Sequence, residues 1–98
     1  MFRVANFEFN LDKSRVLKET RNISFEEIIA LMDDEHVLDI IEHPNKERYG
    51  NQKIFVMLIA NYVYLVPFVK DGKTFFLKTI IPRRKATAEY LREKKNYE

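Results

Sequence analysis

The sequence predicts an α+β domain in the order β-α-α-β-β-β-β-α, an antiparallel sheet packed with helices. Three observations carry that prediction. Ser24-Phe25-Glu26-Glu27 forms a capping box in front of a helical apolar stripe. Residues 53–81 are dense in Ile, Val, Phe, Leu and Tyr in strand-length runs, and Asp71-Gly72 supplies a hairpin turn between two of them. Ninety-eight residues read as one domain spanning 1–98, long enough to bury roughly 60–68% of its unfolded surface without disulfide or metal staples.

Each element follows from its residues. In 4–9, Val4, Asn6 and Glu8 alternate with Ala5, Phe7 and Phe9, a short strand with one apolar face. Residues 11–21 have helical composition but few apolar positions, chiefly Val16 and Leu17, so that helix lies on the surface, capped by Asn10 or Asp12. The capping box at Ser24 starts a second helix with Ile23 and Ile28 as its staple. Phe25, Ile28, Ile29 and Met32 at i, i+3, i+4 and i+7 face a core, and the helix is expected to end near Asp33-Asp34.

A strand over 37–42 is closed by His43-Pro44-Asn45, because proline cannot continue a ladder. A polar loop, 45–51, follows. Residues 53–60 and 62–69 form a hairpin with a tight connection at Asn61, and Asp71-Gly72 joins the second of these strands to 74–81. Pro67 marks an edge or a bulge in its strand. Helix 86–95 ends the order, and the helices cover one buried face of the meander, a two-layer arrangement.

Composition narrows the function classes. Without cysteine there is no disulfide framework, thiolate zinc site or cysteine nucleophile. The first residues lack a signal-peptide apolar core, and the apolar run 54–60 is far too short to span a bilayer, so the expectation is a soluble cytoplasmic protein with no membrane partner. The net charge of +2 hides an asymmetry: residues 1–51 hold 7 Lys/Arg against 11 Asp/Glu, and residues 52–98 hold 10 against 4. A basic half of this kind attracts phosphate or an acidic partner.

The charge concentrates at Ile80-Ile81-Pro82-Arg83-Arg84-Lys85, where a strand runs into three cations at the mouth of the last helix. A helix N-terminus carries about +0.5 of an elementary charge and free N–H groups, so cations there are locally unfavourable unless an anion is shared between them. Arg84 is the first choice for a phosphate clamp, because its planar fork matches two phosphate oxygens, with Lys85 beside it as a point charge.

Phe7-Glu8-Phe9-Asn10, Lys13, Ile23-Ser24-Phe25-Glu26-Glu27, and Ile80-Ile81 with Arg84-Lys85-Ala86-Thr87 agree in order and spacing with the BrnT toxins, and the chain resembles that family nearly end to end. Where the family has Lys-His-Gly before its Val-Ser-Phe-Glu-Glu block, this chain has Thr20-Arg21-Asn22, and Pro82-Arg83 stands where the family has Ser-Ala. The resemblance implies a RelE-like fold and a metal-independent endoribonuclease that arrests translation, with no cofactor. It also implies a type II toxin–antitoxin partner: an antitoxin of the ribbon-helix-helix class that carries the DNA contact while the toxin acts on RNA, ribosome-associated or free.

Cleavage by 2′-OH attack needs the nucleophile deprotonated, the leaving oxygen protonated and the phosphorane charge stabilised. Arg84, Lys85, Lys53 and His43 are the candidate catalytic groups, His43 being the histidine preferred for proton transfer. Arg83, Lys78, Arg48 and Tyr49 are candidate RNA contacts, and Tyr90 is placed beside Arg84. Lys53 and Lys78 are expected to line one groove on the sheet face opposite the core, or else to guard a sheet edge. His36 with Asp33, Asp34, Glu35, Asp39 and Glu42 reads as a solvated acidic face rather than a metal site. The alternative is a non-catalytic domain whose basic face binds RNA or an acidic protein segment, a degenerate toxin acting as a regulator.

Overall fold

The computed structural model describes residues 5–96, and the side chains of residues 5–92. Helix α1 (Leu11–Arg21) starts where the Asn10 side chain accepts from Lys13 N–H at 3.0 Å. It stops at Asn22, left-handed at φ 58°, whose N–H returns to the Lys18 carbonyl. Asparagine tolerates that conformation better than other residues with a side chain, which is why a helix can close there without glycine. Helix α2 (Phe25–Ala30) has the reciprocal box: Ser24 Oγ accepts from Glu27 N–H at 3.2 Å and Glu27 Oε2 accepts from Ser24 N–H at 3.4 Å.

This helix ends earlier than the acidic pair Asp33-Asp34 suggests. Asp33 Oδ1 accepts from the N–H groups of Glu35 and His36, and a short side chain that bonds its own backbone competes with helix propagation.

Six strands form one mixed sheet: β1 (Asn6–Glu8), β2 (Val37–Glu42), β3 (Gln52–Ile59), β4 (Tyr62–Asp71), β5 (Thr74–Leu77) and β6 (Ile81–Pro82). Their order is β1-β5-β4-β3-β2, with β6 also on β4; β1 runs parallel to β5 and every other pairing is antiparallel. Two further helices complete the α+β fold, α3 (Lys46–Tyr49) inside the expected polar loop and α4 (Arg84–Asn96).

Pro67 explains why the expected strand 74–81 is two strands. The Pro67 carbonyl accepts from Lys78 N–H at 2.8 Å, so its ring nitrogen faces the same neighbour and offers it no donor. The ladder shifts by one residue across this point, from Phe68 opposite Leu77 to Leu65 opposite Ile81. Residues 78–80 form the resulting break.

Ile59 and Tyr62 face each other across a two-residue turn in which Ala60 (φ 51°) and Asn61 (φ 62°) are both left-handed. A primed turn matches strand twist but demands φ > 0 at both positions, which Asn meets cheaply and Ala does not.

The core lies on the face of β3, β4 and β5 that carries Phe55, Met57, Val66, Phe68 and Leu77, beneath Leu17, Ile23, Phe25, Ile28 and Met32 from the first two helices. Phe55 and Phe68 stack with centroids 4.0 Å apart. The other face is apolar as well, since Ile54 and Val63 are buried there and the strand alternates Ile54, Val56 and Leu58 along it. A central strand apolar on both sides reads as the continuous run 54–59. The sheet face opposite the core is therefore not the polar, lysine-lined groove expected from the sequence.

Candidate functional site

At the start of α4 a single side chain fixes the geometry. Arg83 N–H donates to the Val63 carbonyl at 2.9 Å, which continues the β6 pairing one residue further. Thr87, one turn into the helix, accepts from Val63 N–H at 2.8 Å and donates its hydroxyl to the Arg83 carbonyl at 2.9 Å. The buried Thr87 so pins the helix to β4, and Arg83, Arg84 and Lys85 are left exposed.

The first turn holds no acid, and Arg83, preceding it, has no side-chain acceptor to cap the free N–H groups. Among the described residues no carboxylate pairs with Arg83, Arg84 or Lys85. The helix begins at Arg84 rather than Ala86, so Arg84 and Lys85 lie within the dipole's positive end.

A fourth cation reaches the same junction. Arg21, the last residue of α1, donates from Nη1 to the Ile80 carbonyl, three residues before Arg83. In the sequence Arg21 is one of the solvated cations of the first helix and stands where the family has its histidine. Its arrival at the junction is a contact across 59 positions, for which no local pattern exists.

The other expected residues lie elsewhere. Lys53, His43 and Tyr49 gather at the far end of β3, around a concavity of about 60 Å³ that Glu42, Lys46, Gly50 and Gln52 also line, with Arg48 beside Tyr49. His43 and Tyr49 rings are 4.5 Å apart and the Arg48 guanidinium lies 5.3 Å from the Tyr49 centroid, so a base stacking on Tyr49 competes with groups already in contact with it. Glu42 and Lys46 pair at 2.5 Å; this bond, reinforced by the Lys46 and Lys53 charges, holds the Glu42 carboxyl below its ordinary range, and the same bond with the Glu42 charge lifts Lys46 above its own.

Val63, which binds Arg83, lies opposite Leu58, five residues along β3 from Lys53. At about 3.4 Å per residue that separates the two clusters by about 17 Å. Lys53 and Lys78 also project from opposite faces. Lys53 stands opposite Phe68 on the core face, whereas Lys78 lies with its ammonium 4.7 Å from the Phe76 ring, and Phe76 pairs with Val69 on the other face. Tyr90 shares the half-buried helix face of Ala86 and Thr87, about 120° around the axis from Arg84 at 100° per residue.

The two histidines differ in their hydrogen-bond partners. His43 Nδ1 accepts from Asn45 N–H at 3.1 Å, so the neutral ring carries its proton on Nε2 and has no free lone pair to act as a base. His36 Nδ1 is 2.8 Å from Asp33 Oδ1, and a carboxylate can only accept, so Nδ1 carries a proton and in the neutral ring the lone pair is on Nε2. The bonds from the His36 side chain and backbone hold the Asp33 carboxyl below its ordinary range.

His36 lies at the same end of the sheet as the basic junction: its carbonyl accepts from Leu58 N–H, Leu58 faces Val63, and Val63 binds Arg83. Three strand spacings make that about 14 Å between backbones. Asp33 three residues before His36, just past a helix end, is the sequence signal that marks this pair. Among the described residues no three His, Asp or Glu side chains converge as a metal-holding group, and no helix is long and apolar enough to cross a membrane.

The chain matches no family model, no curated protein and no solved structure.

Proposed function

We propose that this protein binds RNA phosphate at the β6–α4 junction and cleaves the strand without a metal, as a RelE-like ribonuclease toxin restrained by a cognate antitoxin. The observation that carries the reading is the start of α4: Arg83 just before it and Arg84 and Lys85 in its first turn are exposed, with no acid, no side-chain cap and a fourth cation, Arg21, at the Ile80 carbonyl. Free N–H groups and unpaired guanidinium forks on one side are the chemistry that takes an oxyanion and holds charge as it develops on phosphorus. The BrnT-like blocks supply the reaction type, and His36, with Nε2 free and at the same sheet end, is the proton acceptor in place of His43.

The test is RNA cleavage by purified protein and growth arrest on expression. Arg84→Ala abolishes both while EDTA leaves cleavage intact, and His36→Gln lowers the rate far more than His43→Gln. Undiminished cleavage by Arg84→Ala, or its loss in EDTA, refutes the mechanism.

One observation favours a second reading, binding without cleavage. Among the described residues no proton-transfer group touches the cation cluster. Under that reading RNA is retained in a salt-sensitive complex and recovered uncut.

A further inference from the structure

The free edge of β2 lies away from the basic junction and is built to be selective. It is the terminal strand of the sheet, six residues long, and exposes Leu38, Ile40 and Ile41 at 38–40% each, with Ile40 and Ile41 on opposite faces. A long apolar edge of this kind pairs readily with another strand.

Its backbone polarity can be assigned. His43 N–H donates to the Gln52 carbonyl, so in register Ile41 and Asp39 also bond β3, and Ile40 and Glu42 turn their backbone groups outward. The outward donors are partly closed from within: Ile40 N–H is taken by Asp39 Oδ1 at 2.8 Å, and Val37 N–H by the Asp33 carbonyl at 3.0 Å beside the bulge between Val37 and Asp39.

Except at Glu42, which has Lys46 and Lys53 beside it, the charge along this edge is acidic. From Glu26 to Glu42 there are seven acids and no Lys or Arg. Lys46 matches Glu42, but among the described residues Asp34, Glu35 and Asp39 have no cation beside them. A second copy would bring the same acid-only strip against itself, and like charges facing across a ladder are destabilising. A strand bearing Lys or Arg meets the opposite situation. Its cation takes the Asp39 carboxylate, Ile40 N–H is released, and the incoming backbone carbonyl accepts from it. The acids that guard the edge against self-pairing thus admit a cationic strand.

We infer that the β2 edge is a docking site for an extended, lysine- or arginine-bearing segment of a partner protein, which adds to the sheet as a further strand. The inference stands independently of the ribonuclease reading.

Its test uses three fluorescein-labelled heptapeptides: alternating Lys and Val, the same with Thr for Lys, and the same with Pro for Val. The Lys-Val peptide binds the full chain at least tenfold more tightly than the other two, and hydrogen exchange slows at the amides of Ile40 and Glu42. Ile40→Pro removes an outward donor that β3 does not use and weakens that peptide at least tenfold. Asp39→Lys, which keeps the β3 ladder and reverses the charge, weakens it equally, so an effect of Ile40→Pro on folding cannot imitate the result. Equal binding of the Thr or Pro peptide, indifference to both substitutions, protection at a different strand, or dimerisation through β2 that the peptide does not compete with would each overturn the proposal.

Discussion

Replacing Thr87 with valine keeps the shape of the side chain and deletes one oxygen, which among the described residues is the acceptor of Val63 N–H. Val63 is 1% exposed and Thr87 7%, so water does not substitute freely for the lost partner. A buried donor left unpaired costs about 1–3 kcal/mol. The Arg83 carbonyl loses the Thr87 hydroxyl but keeps Thr87 N–H at 3.0 Å, so the second loss is small.

The sum is about 2 kcal/mol, or roughly a 30-fold shift in the folding equilibrium, and for a domain of this size the melting temperature falls by about 8–16 °C. Urea and thermal unfolding of Thr87→Val and Thr87→Ser measure it. The serine keeps both hydroxyl bonds and stays within about 1 kcal/mol of the parent. Because the same bonds aim the first turn of α4, Thr87→Val also weakens RNA binding in native conditions where the chain is still folded. A Thr87→Val protein within about 0.5 kcal/mol of the parent, or a serine variant as damaged as the valine, refutes the account.

Other substitutions test other parts of the fold. Ala60→Gly relieves a left-handed alanine in the β3–β4 turn and raises stability by about 0.5–1 kcal/mol, read from the urea midpoint. At Gly50 an added Cβ would lie 2.7 Å from the Lys46 carbonyl, so Gly50→Ala displaces α3, and amide protection is lost at Tyr49, whose N–H bonds the Asn45 carbonyl. The Ser14 hydroxyl, donating to Glu26 Oε1, is the main cause that holds the Glu26 carboxyl below its ordinary range. A lowered folded-state value gives stability that is present above the unfolded value of about 4.3 and is lost as pH falls through the folded one, so Ser14→Ala makes acid destabilisation shallower in that window.

Where local chemistry decides, the sequence is legible. The Ser24 capping box, the Asp71-Gly72 hairpin with Gly72 at φ 60°, and the bounds of β2 need only residues a few positions apart, and each is present. Pro67 also announces its effect, though the irregularity falls on the neighbouring strand, because that strand is the one the Pro67 nitrogen faces without a donor. What cannot be read locally is which strands become neighbours and which face a side chain takes. Lys53 and Lys78 look equivalent in sequence, yet the pairing of Lys53 with Phe68 and of Phe76 with Val69 sends them to opposite sides. Asn10, the first cap named for its helix, is found, whereas Arg21's reach to the Ile80 carbonyl spans 59 positions and leaves no trace in spacing.

The choice between the two histidines turns on hydrogen-bond partners and not on intrinsic basicity. Both have an accessible ring, but a turn supplies each Nδ1 with a different neighbour: a backbone N–H for His43 and a carboxylate for His36. The first makes the outer nitrogen a donor and the second makes it a base. The same turn that sets His36 places it beside the acid-only stretch, and β2 then carries that acidity to the sheet edge opposite the β6 side of β4. The acids of β2 and the cations of the β6–α4 junction thereby face each other across one end of the sheet, with about 14 Å between His36 and Arg83. A polyanion is repelled on one side and drawn to the other, an orienting field that weakens as salt shortens the Debye length to about 8–10 Å. A cationic strand seated on β2 would neutralise the repelling edge, so its presence should flatten the salt dependence of RNA association without changing which end of the sheet the RNA meets.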